Sequence, residues 1–175
     1  MTASLKWVAQ SHVREDGVKA KHVVSAVRRK GLLSGVRLDV RGTAIRVAVD
    51  EALAKLPPEV SGIPTLRSIT SKKTSEGGSL AGLTRRITYE RTIRLGPAKT
   101  EEYEIVVQRI ELYQDIMLQL SERSRVAVVA HELAHAWLND NVGPEDSAMR
   151  EEECDAQAEK WGFGDELKAL ADETD

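Results

Sequence analysis

The sequence is poor in cysteine and in long apolar runs. Cys154 is the only cysteine among 175 residues, which excludes an intrachain disulfide and a zinc cluster built from several cysteines. The longest uninterrupted apolar run spans residues 126–130 and is far too short to cross a bilayer. The first ten residues have no long apolar segment, so no secretory signal is expected. We therefore expect a cytoplasmic protein without membrane contact.

Aromatic residues are also scarce. With three Trp, three Tyr and one Phe, the hydrophobic core must consist mainly of Val, Leu, Ile and Ala. The hydrophobic fraction is 41% and the charged fraction 30%, which is typical of a globular protein and excludes a largely disordered chain. The length suits one domain with small appendages.

Charge is unevenly distributed along the chain. The first 100 residues carry 19 Lys and Arg against 8 Asp and Glu, whereas the rest carry 6 against 20. A basic cluster near the N-terminus favours contacts with nucleic-acid phosphates, although no aromatic residues alternate with it and no DNA-binding motif is present. This cluster comprises Lys19, Lys21, Arg28, Arg29, Lys30, Arg37 and Arg41.

The first two thirds of the chain contain signals for one helix and a hairpin. Apolar spacing predicts a helix over residues 43–56, ended by two prolines, and a strand over 63–69. Residues 71–82 are polar and glycine-rich and predict an exposed loop. Residues 85–95 and 103–113 alternate between apolar and polar side chains around a Gly-Pro turn, which predicts a β-hairpin.

The last third of the chain is predicted to be helical. A long helix begins after Ser121, a good N-cap residue, and must end before the Gly-Pro pair at 143–144. A second helix is expected over 147–160, followed by a frayed or short helix, and a basic helix is expected over 19–30. The predicted division is a basic extension or helical appendage (1–42), a main domain (43–164) and an acidic tail (165–175).

The stretch His131-Glu132-Leu133-Ala134-His135 predicts a metal site. On a helix, residues four apart project from one face, so two imidazoles at this spacing can bind one Zn²⁺. Glu132 lies one residue beyond the first histidine and is placed to act as the general base toward water. Chance could produce such a short pattern, but half of the four histidines fall in it, within an apolar helix.

A third ligand must come from elsewhere, and no histidine follows His135. Helical phase places Glu151, Cys154 and Asp155 on one inward face of the following helix, whereas Glu152 and Glu153 fall on solvated stripes. Glu151 is therefore the preferred ligand, with Glu153 as the alternative. An inward Asp155 suits a carboxylate that orients a ligand histidine.

The motif His131-Glu132-x-x-His135 with Glu151-x-x-x-Asp155 resembles the gluzincin zinc metallopeptidases. The segment HELAHAWL, the acidic stretch and the closing residues 159–163 are more narrowly similar to the minigluzincins and the ImmA/IrrE-like peptidases. The resemblance implies a compact α+β zincin-like fold with an N-terminal helix, a small twisted, mostly antiparallel sheet, an active-site helix and a metal-ligand helix. It also implies one Zn²⁺ per chain.

The resemblance further implies that the strand over 102–112 is the sheet edge above the zinc and binds extended substrate by strand addition. The side chains concerned are Tyr103, Ile105, Val107 and Arg109, which could alternatively belong to an ordinary packed strand. Tyr103, Tyr113 and Arg109 are candidates for stabilising an oxyanion. Cys154 is expected to be a packing residue and not a ligand.

The leading hypothesis is a zinc metallopeptidase that acts on a protein or peptide substrate, specifically an intracellular regulatory protein. The first alternative is a nucleic-acid-associated regulator that uses the basic N-terminal cluster. The second is a zinc-binding interaction module without catalysis, against which the presence of Glu132 argues.

Overall fold

A computed structural model shows an α+β fold that consists of a four-stranded mixed sheet and helices. The residues described are 35–60, 63–74, 80–94, 100–143 and 147–174. The strands are β1 (Arg37–Asp39), β2 (Leu66–Lys72), β3 (Gly82–Arg94) and β4 (Thr100–Tyr113). The helices are α1 (Thr43–Lys55), α2 (Gln114–Met117, a single turn), α3 (Glu122–Asn141), α4 (Ser147–Ala158) and α5 (Gly164–Thr174). The predicted α+β class is confirmed for this part of the chain.

The strand order is β1-β2-β4-β3. β1 is parallel to β2 and β2 is parallel to β4, whereas β3 and β4 form an antiparallel hairpin in which Gly82 faces Leu112 and Arg94 faces Thr100. The expectation of a mostly antiparallel sheet is therefore wrong for both neighbours of β2. Parallel pairs join strands that are distant in the chain, so they leave no local turn signal in the sequence.

β4 does not form the edge of the sheet along its whole length. From Gln108 to Tyr113 it pairs with β2 on one side and β3 on the other. Residues 100–107 pair with β3 alone among the described residues. The expected edge strand is therefore wrong for the half of β4 that contains Arg109, because the hairpin places its second strand next to β2 and leaves β3 outside.

Helix α1 packs against α3. Ile45, Ala48, Val49 and Ala52 are fully buried at the spacing of a single helical face. The helix ends at Lys55, just before Leu56 and the two prolines, because proline cannot continue the hydrogen-bond ladder. The predicted helix is confirmed.

Helix α3 is the centre of the molecule, since it packs against α1, α4, α5 and both strands of the hairpin. Its N-cap is Ser121, as expected, whose side chain accepts a hydrogen bond from Ser124 N at 3.2 Å. The backbone N–H of Ser121 donates in turn to Glu173 of α5 at 3.0 Å. Near the other end, the Gln108 side chain of β4 donates to the Ala136 carbonyl at 2.8 Å.

The C-terminal segment folds back on α3. A kink at Gly162, whose φ of 92° lies in the left-handed region, joins α4 to α5. Leu170 of α5 is buried in the main core. Residues assigned from the sequence to the acidic tail therefore form a packed helix, and β1 likewise comes from the predicted basic extension.

The first predicted strand and the predicted loop after it differ from the structure at their boundaries. β2 begins three residues later than expected and continues to Lys72, and β3 begins at Gly82, so the predicted loop over 71–82 is shorter. Residues 75–79 of that loop and the predicted helix over 19–30 lie outside the described residues. No helix in the described part of the chain has the length and apolar character needed to cross a membrane.

Candidate metal centre

Two histidines one turn apart on α3 form the base of the site. Both His131 and His135 are buried, because α3 is covered by other elements on nearly all sides. Their Nε2 atoms face each other at 3.1 Å. The spacing of four residues thus brings two imidazole nitrogens to one point, as predicted for a metal-binding pair.

Helix α4 adds a carboxylate to this pair. Glu151 Oε2 lies 3.1 Å from His131 Nε2, and Glu151 Oε1 lies 3.3 Å from His135 Nε2. With zinc bonds of about 2.0–2.1 Å, neighbouring ligand atoms of a tetrahedral site are about 3.3 Å apart. The spacing of the three side chains is therefore compatible with ligands of one zinc ion.

The titration of these groups reflects their closeness. Burial alone raises the pKa of Glu151, but the hydrogen bonds with both histidines outweigh it and lower the pKa to about 2. Burial lowers the pKa of His131, but hydrogen bonds to Asp155 and Glu151 outweigh it and raise the pKa to about 9. The cluster therefore favours positive charge at its centre, and a metal ion would displace a proton there.

Asp155 orients the first histidine. Its Oδ1 lies 2.7 Å from His131 Nδ1, which directs Nε2 of the ring toward Glu151. Asp155 is one turn after Glu151 on α4, as helical phase indicated, but its side chain is 55% exposed, so the expected inward position is wrong. By contrast, His135 Nδ1 is buried without a hydrogen-bond partner in the described residues.

Glu132 is buried next to this cluster. The side chain is 2% exposed, and burial raises its pKa despite the opposing effect of both histidines. Thr84 of β3 donates a hydrogen bond to Glu132 Oε2 at 2.7 Å. A general base is most effective when its pKa lies near the pH of the solution. A buried carboxylate with a raised pKa therefore suits this role.

Sequence reasoning did not find Thr84 or Gly82, which both contact Glu132 from β3. These residues precede Glu132 by about fifty positions and carry no motif of their own. The only usable signal was the hairpin, whose first strand begins at Gly82.

The neighbouring glutamates of α4 point elsewhere. Glu152 is exposed. Glu153, the alternative ligand, has a side chain that is 46% exposed and lies 3.4 Å from Arg150 Nη1. The structure thus brings Glu151, and neither of these two, to the histidine pair.

Cys154 is a further buried neighbour of the histidines. One ligand atom from each of His131, His135 and Cys154 lies within 4.8 Å of the others, which makes these three residues a possible metal-binding cluster. Burial, together with the nearby carboxylates, raises the pKa of the Cys154 thiol. Packing remains the role we assign to it, because the Glu151 oxygens lie only 3.1 and 3.3 Å from the histidine Nε2 atoms.

The residues expected to bind substrate lie on β4. Ile105 and Arg109 are exposed, Val107 is half-buried, and the side chain of Tyr103 lies outside the described residues. Arg109 Nη2 is 3.4 Å from the Tyr89 hydroxyl. Tyr113 donates to Glu111 at 3.1 Å, on the sheet face opposite to Thr84. The partners that the structure gives for Arg109 and Tyr113 are thus other side chains of the sheet.

Most residues of the basic cluster lie outside the part of the chain that the structure describes. Lys19, Lys21, Arg28, Arg29 and Lys30 lie outside the described residues. Of the other two, Arg37 forms an ion pair with Asp39 at 3.1 Å, and the backbone N–H of Arg41 donates to Ser71 Oγ at 2.7 Å.

The chain matches no family model, no curated protein and no solved structure. The likeness to gluzincins therefore depends on the motif and its spacing. The function must be argued from the site.

Proposed function

We propose that the protein is a zinc-dependent metallopeptidase with one Zn²⁺ per chain. His131, His135 and Glu151 hold the ion, and Glu132 is the general base. The observation that carries the proposal is the placement of two histidine Nε2 atoms 3.1 Å apart, with one Glu151 oxygen 3.1 Å from the first and the other 3.3 Å from the second. A buried glutamate of raised pKa lies beside them. Two histidines and one carboxylate leave the fourth zinc position open, as catalytic sites require.

A zinc ion in this site would supply a Lewis acid and lower the pKa of water. Glu132 then takes a proton from the attacking water and returns it to the leaving nitrogen of the peptide bond. Asp155 keeps the His131 ring in the orientation that presents Nε2. The chain thus contains both the ligands and the proton acceptor that the reaction needs.

The substrate is an extended segment of a cytoplasmic regulatory protein. β3 has β4 on one side and no strand on the other among the described residues, and its first residues contact Glu132. A peptide added to this edge would pass close to the proposed catalytic carboxylate. β3 therefore replaces the strand over 102–112 in the proposed substrate contact.

Metal analysis tests the ligand set. Glu151→Ala should lower zinc affinity by about 100-fold or more, because a ligand contributes at least as much as the partners that orient it. Glu153→Ala is the matched control on the same helix and should leave affinity unchanged. Zinc retained in Glu151→Ala but lost in Glu153→Ala would contradict the assignment.

Cleavage tests the reaction. The wild-type protein with zinc should hydrolyse members of a library of internally quenched peptides, and Glu132→Gln should bind zinc equally while losing at least about 100-fold in rate. Undiminished hydrolysis by Glu132→Gln would refute the mechanism. Stoichiometric zinc without cleavage of peptides or cellular proteins would instead identify a silent zinc-binding module.

A further inference from the structure

We propose that Thr84 is a positioning residue for Glu132, with Gly82 providing the space that the glutamate side chain occupies. This inference rests on the proposed peptidase function, because it explains how the general base is held. Its structural basis is the contact between the start of β3 and the middle of α3.

The Thr84 hydroxyl is the polar group that meets the Glu132 carboxylate from the sheet. Its Oγ1 lies 2.7 Å from Glu132 Oε2 and 2.9 Å from the backbone oxygen of the same residue. Both side chains are only 2% exposed. A hydrogen bond to a charged acceptor is strong in such surroundings, so the single hydroxyl proton is best used on the carboxylate.

Gly82 complements this bond by leaving room. A methyl group added at Gly82 would lie 2.7 Å from Glu132 Cγ and 2.8 Å from Oε1, closer than carbon atoms normally approach. Gly82 and Thr84 are two apart on one strand and therefore face the same side of the sheet. Gly82 thus leaves the space that the Glu132 side chain occupies, and Thr84 orients its carboxylate by a hydrogen bond.

A purely structural role is the competing explanation. The same hydroxyl lies within reach of the Glu132 carbonyl, so Thr84 could simply connect β3 to α3. That connection would affect stability and zinc content. A positioning role would instead lower the rate at which bound substrate is cleaved, while the zinc content stays unchanged. Small displacements of a catalytic group reduce such rates strongly.

The decisive experiment compares three variants loaded with zinc. Thr84→Val keeps the shape of the side chain and removes the hydroxyl, and Thr84→Ser keeps the hydroxyl. Thr70→Val removes a hydroxyl from β2, which has no part in the proposed substrate contact. On an internally quenched peptide cleaved by the wild type, Thr84→Val should lose about 10- to 100-fold in kcat with KM little changed. Thr84→Ser should stay within about threefold of the wild type, and Thr70→Val should equal the wild type.

Three outcomes would overturn the inference. Thr84→Val could equal Thr70→Val, Thr84→Ser could fail as badly as Thr84→Val, or Thr84→Val could lose its zinc together with its activity. Each would show that the hydroxyl does not act on the rate through Glu132.

A second measurement needs no substrate and separates this inference from the proposed function. In a double-mutant cycle followed by urea unfolding of the metal-free protein, the shift in midpoint caused by Thr84→Val should shrink when Glu132 is already alanine. Additive shifts would refute the contact. If the cycle shows coupling while the wild type neither binds zinc nor cleaves peptides, the proposed function fails and the positioning contact stands.

Discussion

Two buried glutamates flank the first residues of β3, one on each face of the sheet. Glu111 lies on the outer face, where its oxygens meet Lys72 Nζ at 2.8 Å, Arg85 Nε at 2.9 Å and the Tyr113 hydroxyl at 3.1 Å. Glu132 comes from α3 and meets the inner face, where the Thr84 hydroxyl of β3 donates to it. Both glutamates are buried, with Glu111 8% and Glu132 2% exposed, but they are differently surrounded.

The neighbours of Glu111 reverse the effect of burial on its pKa, whereas those of Glu132 do not. Burial raises the pKa of both groups, but hydrogen bonds from Lys72 and Arg85 outweigh it for Glu111, whose pKa is lowered. For Glu132, burial outweighs the nearby histidines and Thr84, and the pKa is raised. Glu111 is thus a permanent anion that joins β2, β3 and β4, whereas Glu132 is kept ready to accept a proton at a cost in stability.

The largest effect is expected from removing Arg85, which donates a hydrogen bond to Glu111 and whose side chain is only 19% exposed. Arg85→Met should lower the free energy of unfolding by about 3 kcal/mol, because it leaves a buried carboxylate short of its main partner. Urea denaturation measures this, with Arg86→Met on the other face as the control. A loss below about 1 kcal/mol would show that Lys72 and Tyr113 suffice.

The next effect concerns Glu111 itself. Its pKa is lower in the folded than in the unfolded chain, so its stabilisation is complete above the ordinary value of 4.5 and is lost as the pH falls through the folded pKa. Glu111→Gln should therefore cost about 2 kcal/mol at pH 7 and flatten the acid side of the stability curve. An unchanged acid side in the variant would contradict the assignment.

Glu132 should behave in the opposite way. Its pKa is raised on folding, so no stability is lost below the ordinary value of 4.5, and the loss grows as the pH rises through the folded pKa. Glu132→Gln should thus stabilise the metal-free protein by about 1 kcal/mol at pH 7 and have little effect at pH 4. Thermal unfolding with a chelator present tests this, and destabilisation at pH 7 would remove the contrast with Glu111.

The smallest effect is expected at Lys72, whose side chain is 42% exposed. Exposed ammonium groups contribute little to ion pairs, so Lys72→Met should cost about 0.5 kcal/mol and the difference should vanish in high salt. A cost equal to that of Arg85→Met would mean that exposure does not distinguish the two cations.

The parts of the fold that were predictable are those with a local period. The helix before the two prolines, the hairpin over β3 and β4, and α3 after Ser121 all follow from spacing, turn and capping residues within one segment. The two parallel pairings of β2 depend on contacts between distant segments, so the sequence could not show that β4 is flanked on both sides.

The candidate site divides in the same way. The spacing of His131 and His135, and the phase of Glu151 and Asp155 on the next helix, indicated residues that the structure brings together. Thr84 could not be found, since its contact with Glu132 joins residues 48 positions apart. The edge strand was misplaced because a hairpin predicts which strands pair but not which one lies outside.

The hydrogen bond between Ser121 and Glu173 also has a consequence for synthesis. These residues are 52 positions apart, and Glu151 follows His131 by 20. On the ribosome, the start of α3 emerges before the acidic groups that complete it, so the histidine pair waits for α4 and α5 to fold back. The nascent chain therefore acquires its proposed third ligand, and with it the proposed activity, only after α4 has been translated.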